Sequence, residues 1–300
     1  FNIAGQNDTP VVTTANGQDT GTAIEAGNLD NGTEVPGVVT ISGQLTATDI
    51  DDGATQTWTV VDNVPNTTYG TFNLQPNGAW TYVLNNDLTA TRQLTENEMV
   101  TLTYNVQVAD DKMAIAPETV TIIIRGTNDS PVVTTAAGQD VATLSENGNL
   151  INGMPVLNNP VAMGQLTSTD EDFSDSGMWS IVGTPSATYG TFTLTPAGAW
   201  TYTLDNALAA TQGLREGQTL TQTYNVLVTD NFGATAVETV TITINGTNDS
   251  PVVTTAAGQD VATLSENGNL DDGALVTNVA TAAGQLTASD VDDMATQTWS

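Results

Sequence analysis

The stretch "GTNDSPVVTT" occupies residues 126–135 and returns unchanged at 246–255, and a close relative, "GQNDTPVVTT", lies at 5–14. Asp8 and Asp129 stand 121 residues apart, and Asp129 and Asp249 stand 120 apart. A fixed period outranks any local reading of secondary structure. This one is longer than a solenoid repeat and matches the size of a whole domain. Working outward, "FNIAGQND" at 1–8 aligns with "ITINGTND" at 242–249, and "TASDVDDMATQTWS" at 287–300 aligns with "TATDIDDGATQTWT" at 46–59. The expected organisation is therefore the last strand and linker of a preceding repeat (1–8), repeat one (9–129), repeat two (130–249) and the N-terminal part of repeat three (250–300). On this register the 300 residues are expected to be a stretch of a longer array.

Within a repeat nearly every segment alternates. "ETVTITING" at 238–246 and "LTQTYNVLVTD" at 220–230 put mostly aliphatic or aromatic residues on one face and mostly Thr or Asn on the other. "YGTFTLTPAGAWTYTL" at 189–204 reads as two strands around a Pro-Ala-Gly turn. Period two with Thr, Val, Tyr and Trp, broken by Gly, Asn, Asp and Pro, marks half-buried strands. No segment has a helical period. About seven or more strands in a domain of this size predict an all-β fold of tandem Ig-like β-sandwiches arranged end to end. The long segment 37–48 is expected to be one strand. Aromatic residues recur in phase: Trp58 with Trp179, Tyr69 with Tyr189, Trp80 with Trp200, Tyr82 with Tyr202 and Tyr104 with Tyr224. Core packing is the expected role, with a sugar-stacking platform as the alternative. The hairpin segments 62–68 and 183–188 differ between repeats.

The chain carries 34 acidic and 4 basic residues, no His and no Cys, for a net charge of -30. Such a field is a poor partner for nucleic acid or an anionic membrane and a good one for cations. No apolar run is long enough to span a bilayer. Without His or Cys, the usual Ser-His and Cys-His nucleophile systems are excluded, and paired carboxylates at domain ends lack the sugar cleft that a glycosidase needs. No enzyme is expected.

The acidic residues recur at turns. In repeat one they are Glu25, Asp49, Asp51, Glu96 and Asp110; in repeat two Glu146, Asp170, Asp172, Glu216 and Asp230; in repeat three Glu266, Asp290 and Asp292. Strand parity places them. If a sandwich is entered at one pole and left at the other, Glu25 and Glu96 lie at the exit pole, and Asp49, Asp51 and Asp110 at the entry pole. Glu25 and Glu96 should then meet Asp170, Asp172 and Asp230 of the next repeat around Asn128 and Asp129. Two carboxylates about 4 Å apart repel by roughly 4 kcal/mol at an effective dielectric of 20. Lys112, Arg92 and Arg125 are too few to neutralise such a set. An all-oxygen, multiply charged cluster suits several Ca²⁺ ions, each taking about 6–8 oxygens; zinc and copper lack their ligands.

These residues resemble two related families. The order of Glu in "SEN", "TATDIDDG", Glu before a Tyr-containing strand, "VTD" and "GTNDSPV" is similar to the cadherin pattern of calcium ligands around a linker. The combination "GQLTATDIDDG…W…YGTF…GAWTYVLN…DD…ETVTIIIRGTND" resembles the VCBS-type repeat of large bacterial surface proteins, including RTX adhesins. The resemblance implies calcium-stiffened extracellular extender domains of a bacterial cell-surface adhesin. Their partners would be neighbouring repeats and, through other domains, host or matrix surfaces. It carries metal roles onto Asp49, Asp51, Asp110, Asn128 and Asp129, and onto their equivalents Asn7, Asp8, Asp170, Asp172, Asp230, Asn248, Asp249, Asp290 and Asp292. A carbohydrate- or protein-binding module, or a filament building block, is the alternative. Repeat one departs from repeat two in "DDKM" against "DNFG", in Arg125 against Asn245, and in "ATDIDDGATQ" against "STDEDFSDSG".

Overall fold

The computed structural model describes residues 1, 4–28, 33–61, 67–149, 154–276 and 281–300. Residues 2–3 of the opening stretch and 62–66 of the first variable hairpin lie outside the described residues. The chain forms two compact units: residues 1–134 with 167–180 and 227–238, and residues 135–166 with 181–226 and 239–300.

Repeat one shows how alternation becomes a sandwich. Its first sheet joins β2 (Thr20–Ile24), β7 (Thr57–Val60), β10 (Met99–Ala109) and β11 (Ile115–Arg125) in the order β2-β11-β10-β7. Its second joins β5 (Thr40–Gln44), β8 (Gly70–Leu74) and β9 (Ala79–Leu84) in the order β5-β9-β8. Short pairs complete it: β1 (Val11–Val12) with β6 (Ala47–Thr48), and β3 (Gly27–Asn28) with β4 (Glu34–Val35). The long hairpin of β10 and β11 pairs Tyr104 with Val120 and Leu102 with Ile122. Its inward face, Leu102, Tyr104, Val106 and Val108 against Val120, Ile122 and Ile124, is buried, while the intervening residues face outward or are half-buried. Period two has become a core face because successive strand side chains point to opposite sides.

One pairing sets where the chain meets its linker. β2 runs parallel to β11, with Thr121 opposite Thr20 and Arg125 opposite Ile24. The first long strand of the repeat therefore finishes where the last one does. The Glu25 N–H donates to the Arg125 carbonyl at 3.0 Å, one residue before the linker starts. Repeat two reproduces the pairing, with Val141–Ser145 parallel to Thr241–Asn245 and Glu146 N–H donating to the Asn245 carbonyl at 3.0 Å.

Two details differ from the sequence reading. Segment 37–48 forms two strands rather than one. At Leu45, whose side chain is buried, the N–H turns to the Gly78 carbonyl at 2.9 Å, and the chain passes from β9 to a new partner, β1. A single helical turn, α1 (Thr89–Arg92), comes after β9, and α2 (Ala209–Gln212) is its counterpart. Four residues are too few to leave a 3.6-residue period in a sequence. Among the described residues no helix is long and apolar enough to cross a membrane.

The recurrent aromatics lie inside. Trp58, Trp80, Tyr82 and Tyr104 belong to one buried cluster with Tyr69 packed against it, and Trp179, Trp200, Tyr202 and Tyr224 are buried likewise. Phe72 stacks on Tyr104 with centroids 4.2 Å apart. The Trp80 indole N–H donates to the Gln18 carbonyl at 2.7 Å, and Trp200 does the same to Gln139. The rings are therefore covered rather than presented as a platform. Replacing Trp80, 1% exposed, by Ala should cost about 3–5 kcal/mol. Thr81→Ala on the exposed face of the same strand should change stability by less than about 0.5 kcal/mol. Urea denaturation followed by circular dichroism reads both.

Candidate metal centre

The linker of each repeat is clasped from several directions by carboxylates. In the first unit Glu25, 0% exposed, accepts the Thr127 N–H at 3.3 Å through Oε2. Glu96, from the turn after α1, accepts the Asn128 N–H at 3.0 Å. Asp172 accepts the Asp129 N–H at 2.9 Å, and Asp230 accepts the Asn128 side-chain amide at 2.8 Å. Asp170 accepts the Asp172 N–H at 3.0 Å, which fixes the turn that presents Asp172. Residues that strand parity assigned to one junction are thus brought together around Asn128 and Asp129.

Close approach of the backbone makes this possible. A Cβ on Gly126 would stand 2.3 Å from the Thr95 carbonyl oxygen, and one on Gly27 2.8 Å from the Asn128 carbonyl oxygen. Only glycine lets the α1 turn and the Glu25–Asn28 corner touch the linker from both sides. The arrangement recurs twice. Asp8 N–H donates to Asp51 at 2.8 Å, Asp51 N–H to Asp49 at 2.9 Å, and the Asn7 amide to Asp110 at 2.7 Å. In the second unit Thr247 N–H donates to Glu146 at 2.9 Å, Asp249 N–H to Asp292 at 3.0 Å, and Asp292 N–H to Asp290 at 3.0 Å. Glu216 and Asn248 are exposed, and among the described residues no hydrogen bond between them matches that of Glu96 to Asn128.

Two kinds of participant were not singled out from the sequence. Asn28 accepts the Ser130 N–H at 2.7 Å and donates to Asp129 at 3.0 Å; Asn149 accepts the Ser250 N–H at 2.7 Å. The signal was present as Glu-x-x-Asn in both "EAGN" and "ENGN". Asp175 is the other: carboxylate oxygens of Asp170, Asp175 and Asp230 lie within 4.8 Å of one another, as do those of Glu146, Asp249 and Asp292.

The electrostatics are those of an uncompensated site. Fully buried oxygens without a hydrogen-bond partner among the described residues include Oε1 of Glu25, Oδ2 of Asp49, Asp170 and Asp249, Oδ1 of Asn128, Asp172 and Asp292, and Oε2 of Glu146. The ion pairs among the described residues, Arg92–Glu171 and Lys112–Asp111, involve none of them. Burial, reinforced by Asp129, Asp172 and Glu171 and opposed by the Thr127 N–H, pushes the Glu25 carboxyl up to about 9. Burial likewise raises Asp172 and Glu146 to about 7 and Asp129 to about 6. Buried acceptor atoms without donors cost free energy that a hard cation would recover. The donor set, all oxygen from carboxylates and amides, fits such an ion.

A pH dependence is expected for protein in divalent-free buffer. Native Glu25 holds its proton up to about 9, whereas the unfolded chain releases it near the ordinary 4.5. The native state then binds more protons between these values, so stability is greatest at low pH and falls as pH rises through the window. The melting temperature should drop between pH 5.5 and 8, and Glu25→Gln should flatten that drop. Thermal denaturation across this range is the measurement; a curve that rises with pH would contradict the burial argument.

No curated protein sequence is similar to the chain. Similar solved structures include the protocadherin gammaB4 extracellular domain, at 17% identity and a TM-score of 0.43, over 97% of this chain and 39% of that one. Mouse cadherin-23 EC22-24 matches at 15% identity and a TM-score of 0.43, over 96% of this chain and 79% of that one. The chain thus spans well under half of the protocadherin it matches. The sequence profile of the bacterial cadherin-like domain matches residues 7–126 and again 128–246. With two tandem matches over most of its length, the chain belongs to the bacterial cadherin-like domain family.

Proposed function

We propose that this chain is a calcium-stiffened structural extender of a bacterial cell-surface adhesin, working outside the cell to hold ligand-binding modules of the same protein away from its surface. The observation that carries the reading is the burial of Glu25 and Glu146, both 0% exposed, each with one carboxylate oxygen enclosed and unpartnered beside further acids. Calcium is the ion favoured, because the donors are carboxylates, amide oxygens and nearby carbonyls, and the chain has no His or Cys.

In this reading Glu25, Glu96, Asn128, Asp129, Asp170, Asp172 and Asp230 hold calcium at the first junction. Asn7, Asp8, Asp49, Asp51 and Asp110 form the half-site of the preceding one, and Glu146, Asp249, Asp290 and Asp292 serve the next. Repeats of 9–129 and 130–249 are the units so joined. An ion shared between the end of one repeat and the start of the next removes rotational freedom from a short linker that Pro131 only partly restrains. The bacterial family, the VCBS-like residue pattern and the high negative charge support the surface role; repetition of similar repeats favours a spacer over a recognition module.

Calcium should raise the melting temperature, with about 2.7 kcal/mol of added stability at 100 times the dissociation constant. An unchanged melting point in excess chelator would count against the metal. Small-angle scattering in calcium and then in chelator tests the mechanical side: the maximum dimension should be larger and the flexibility lower with calcium. Asp129→Ala should diminish that difference, and identical scattering in both conditions would sink the extender role.

A further inference from the structure

The turn after the paired acids has the same backbone in all three repeats. Ala54 N–H donates to the Asp51 carbonyl, Asp175 N–H to Asp172 and Ala295 N–H to Asp292, each at 3.2 Å. The residue before is left-handed each time: Gly53 at φ 76, Ser174 at φ 61 and Met294 at φ 58. What changes is the side chain that the turn delivers, alanine in repeats one and three and Asp175 in repeat two.

Asp175 turns its carboxylate inward. Oδ1 accepts the Asn231 N–H at 3.0 Å, and Oδ2 is fully buried without a hydrogen-bond partner among the described residues. The carboxylate joins Asp170 and Asp230, with one oxygen of each within 4.8 Å of the others. An independent observation points to a ligand there. Asp172 is 4% exposed, its Oδ1 is enclosed and unpartnered, and the charges of Asp170 and Asp175 both act on it.

Neighbouring substitutions accommodate the change. Gly177 stands where repeat one has Gln56, and a Cβ there would lie 2.3 Å from Val228 Cγ2, so glycine lets this segment close against the strand that carries Asp230. Asn231 stands where repeat one has Asp111, whose carboxylate is half-exposed and paired with Lys112. Repeat two has in effect moved a carboxylate from the outside of this loop pair to the inside.

We propose that Asp175 is an additional calcium ligand that makes the site it shares with Asp170 and Asp230 tighter than the corresponding site at a repeat with alanine in that position. This rests on the calcium reading above. A purely structural role, bracing the loop of Asn231, would be fulfilled by Oδ1 alone; it leaves Oδ2 buried at a cost. Asn231 fixes one oxygen, which leaves the buried Oδ2 available to a cation held with Asp170 and Asp230. Calcium affinity rises with the number of charged ligands.

Calorimetric titration of the 300-residue chain with calcium, as wild type, Asp175→Asn and Asp175→Ala, is the test. Asparagine keeps the acceptor for Asn231 and removes the charge. Both variants should weaken one class of sites by about tenfold and leave the others unchanged. Their melting temperatures in chelator should stay level or rise, since a repelling charge is gone. Wild-type binding that Asp175→Asn leaves intact overturns this inference alone. A wild type that takes up no calcium overturns it together with the extender reading. A variant whose sole change is a lower melting point in chelator assigns Asp175 to capping and refutes its role as a ligand.

Discussion

The parallel register between β2 and β11 is the constraint on which the rest depends. It is set by ordinary strand chemistry: Ala23 is buried on the same sheet as Ile122 and Ile124, and five residue pairs hold the two strands in step. Because both strands end at the same level, Glu25 can emerge nowhere but beside Gly126 and Thr127. The linker is then approached by the turn after α1 on one side and by the Glu25–Asn28 corner on the other. Burial of a carboxylate there follows from the topology, and further acids surround it.

Those companions are organised by backbone donors. Asp172, Asp51 and Asp292 each commit one oxygen to the N–H of the linker aspartate, and Asp170, Asp49 and Asp290 each commit one to the turn. Backbone N–H groups thereby fix one oxygen of each of these six carboxylates. The remaining oxygens of Asp170, Asp172 and Asp292 are enclosed without a hydrogen-bond partner among the described residues, and burial raises the pKa of these three acids instead of lowering it as several N–H donors would.

Much of this was legible in the sequence. Alternation in "ETVTIIIRGTND" fixes strands, the 120-residue period fixes tandem domains, and parity of strand direction is enough to bring Glu25 to Asp129 and Asp172. What could not be read has a physical reason in each case. The break at Leu45 depends on a hydrogen bond to Gly78, more than 30 residues away. Asn28 looked like one more turn residue because its partners, Asp129 and Ser130, lie about a hundred residues downstream. Asp175 looked like irregularity in a divergent loop, because its hydrogen-bond partner Asn231 lies more than 50 residues downstream. The single turns α1 and α2 are held by tertiary contacts, with Thr91 and Thr211 buried, and carry no periodic signal.

The parallel register has one further consequence. The chain enters the β2–β11 ladder at Thr20 and leaves it at Arg125, and these lie at opposite ends of the paired stretch. A pull on the two ends of the repeat therefore slides β2 along β11, loading the ladder's hydrogen bonds in shear and all at once. An antiparallel pairing of the same two strands would place entry and exit at one end, and the bonds would open in succession like a zipper. The same strand direction that brings Glu25 to the linker thus decides how a tug on the molecule is shared among its bonds.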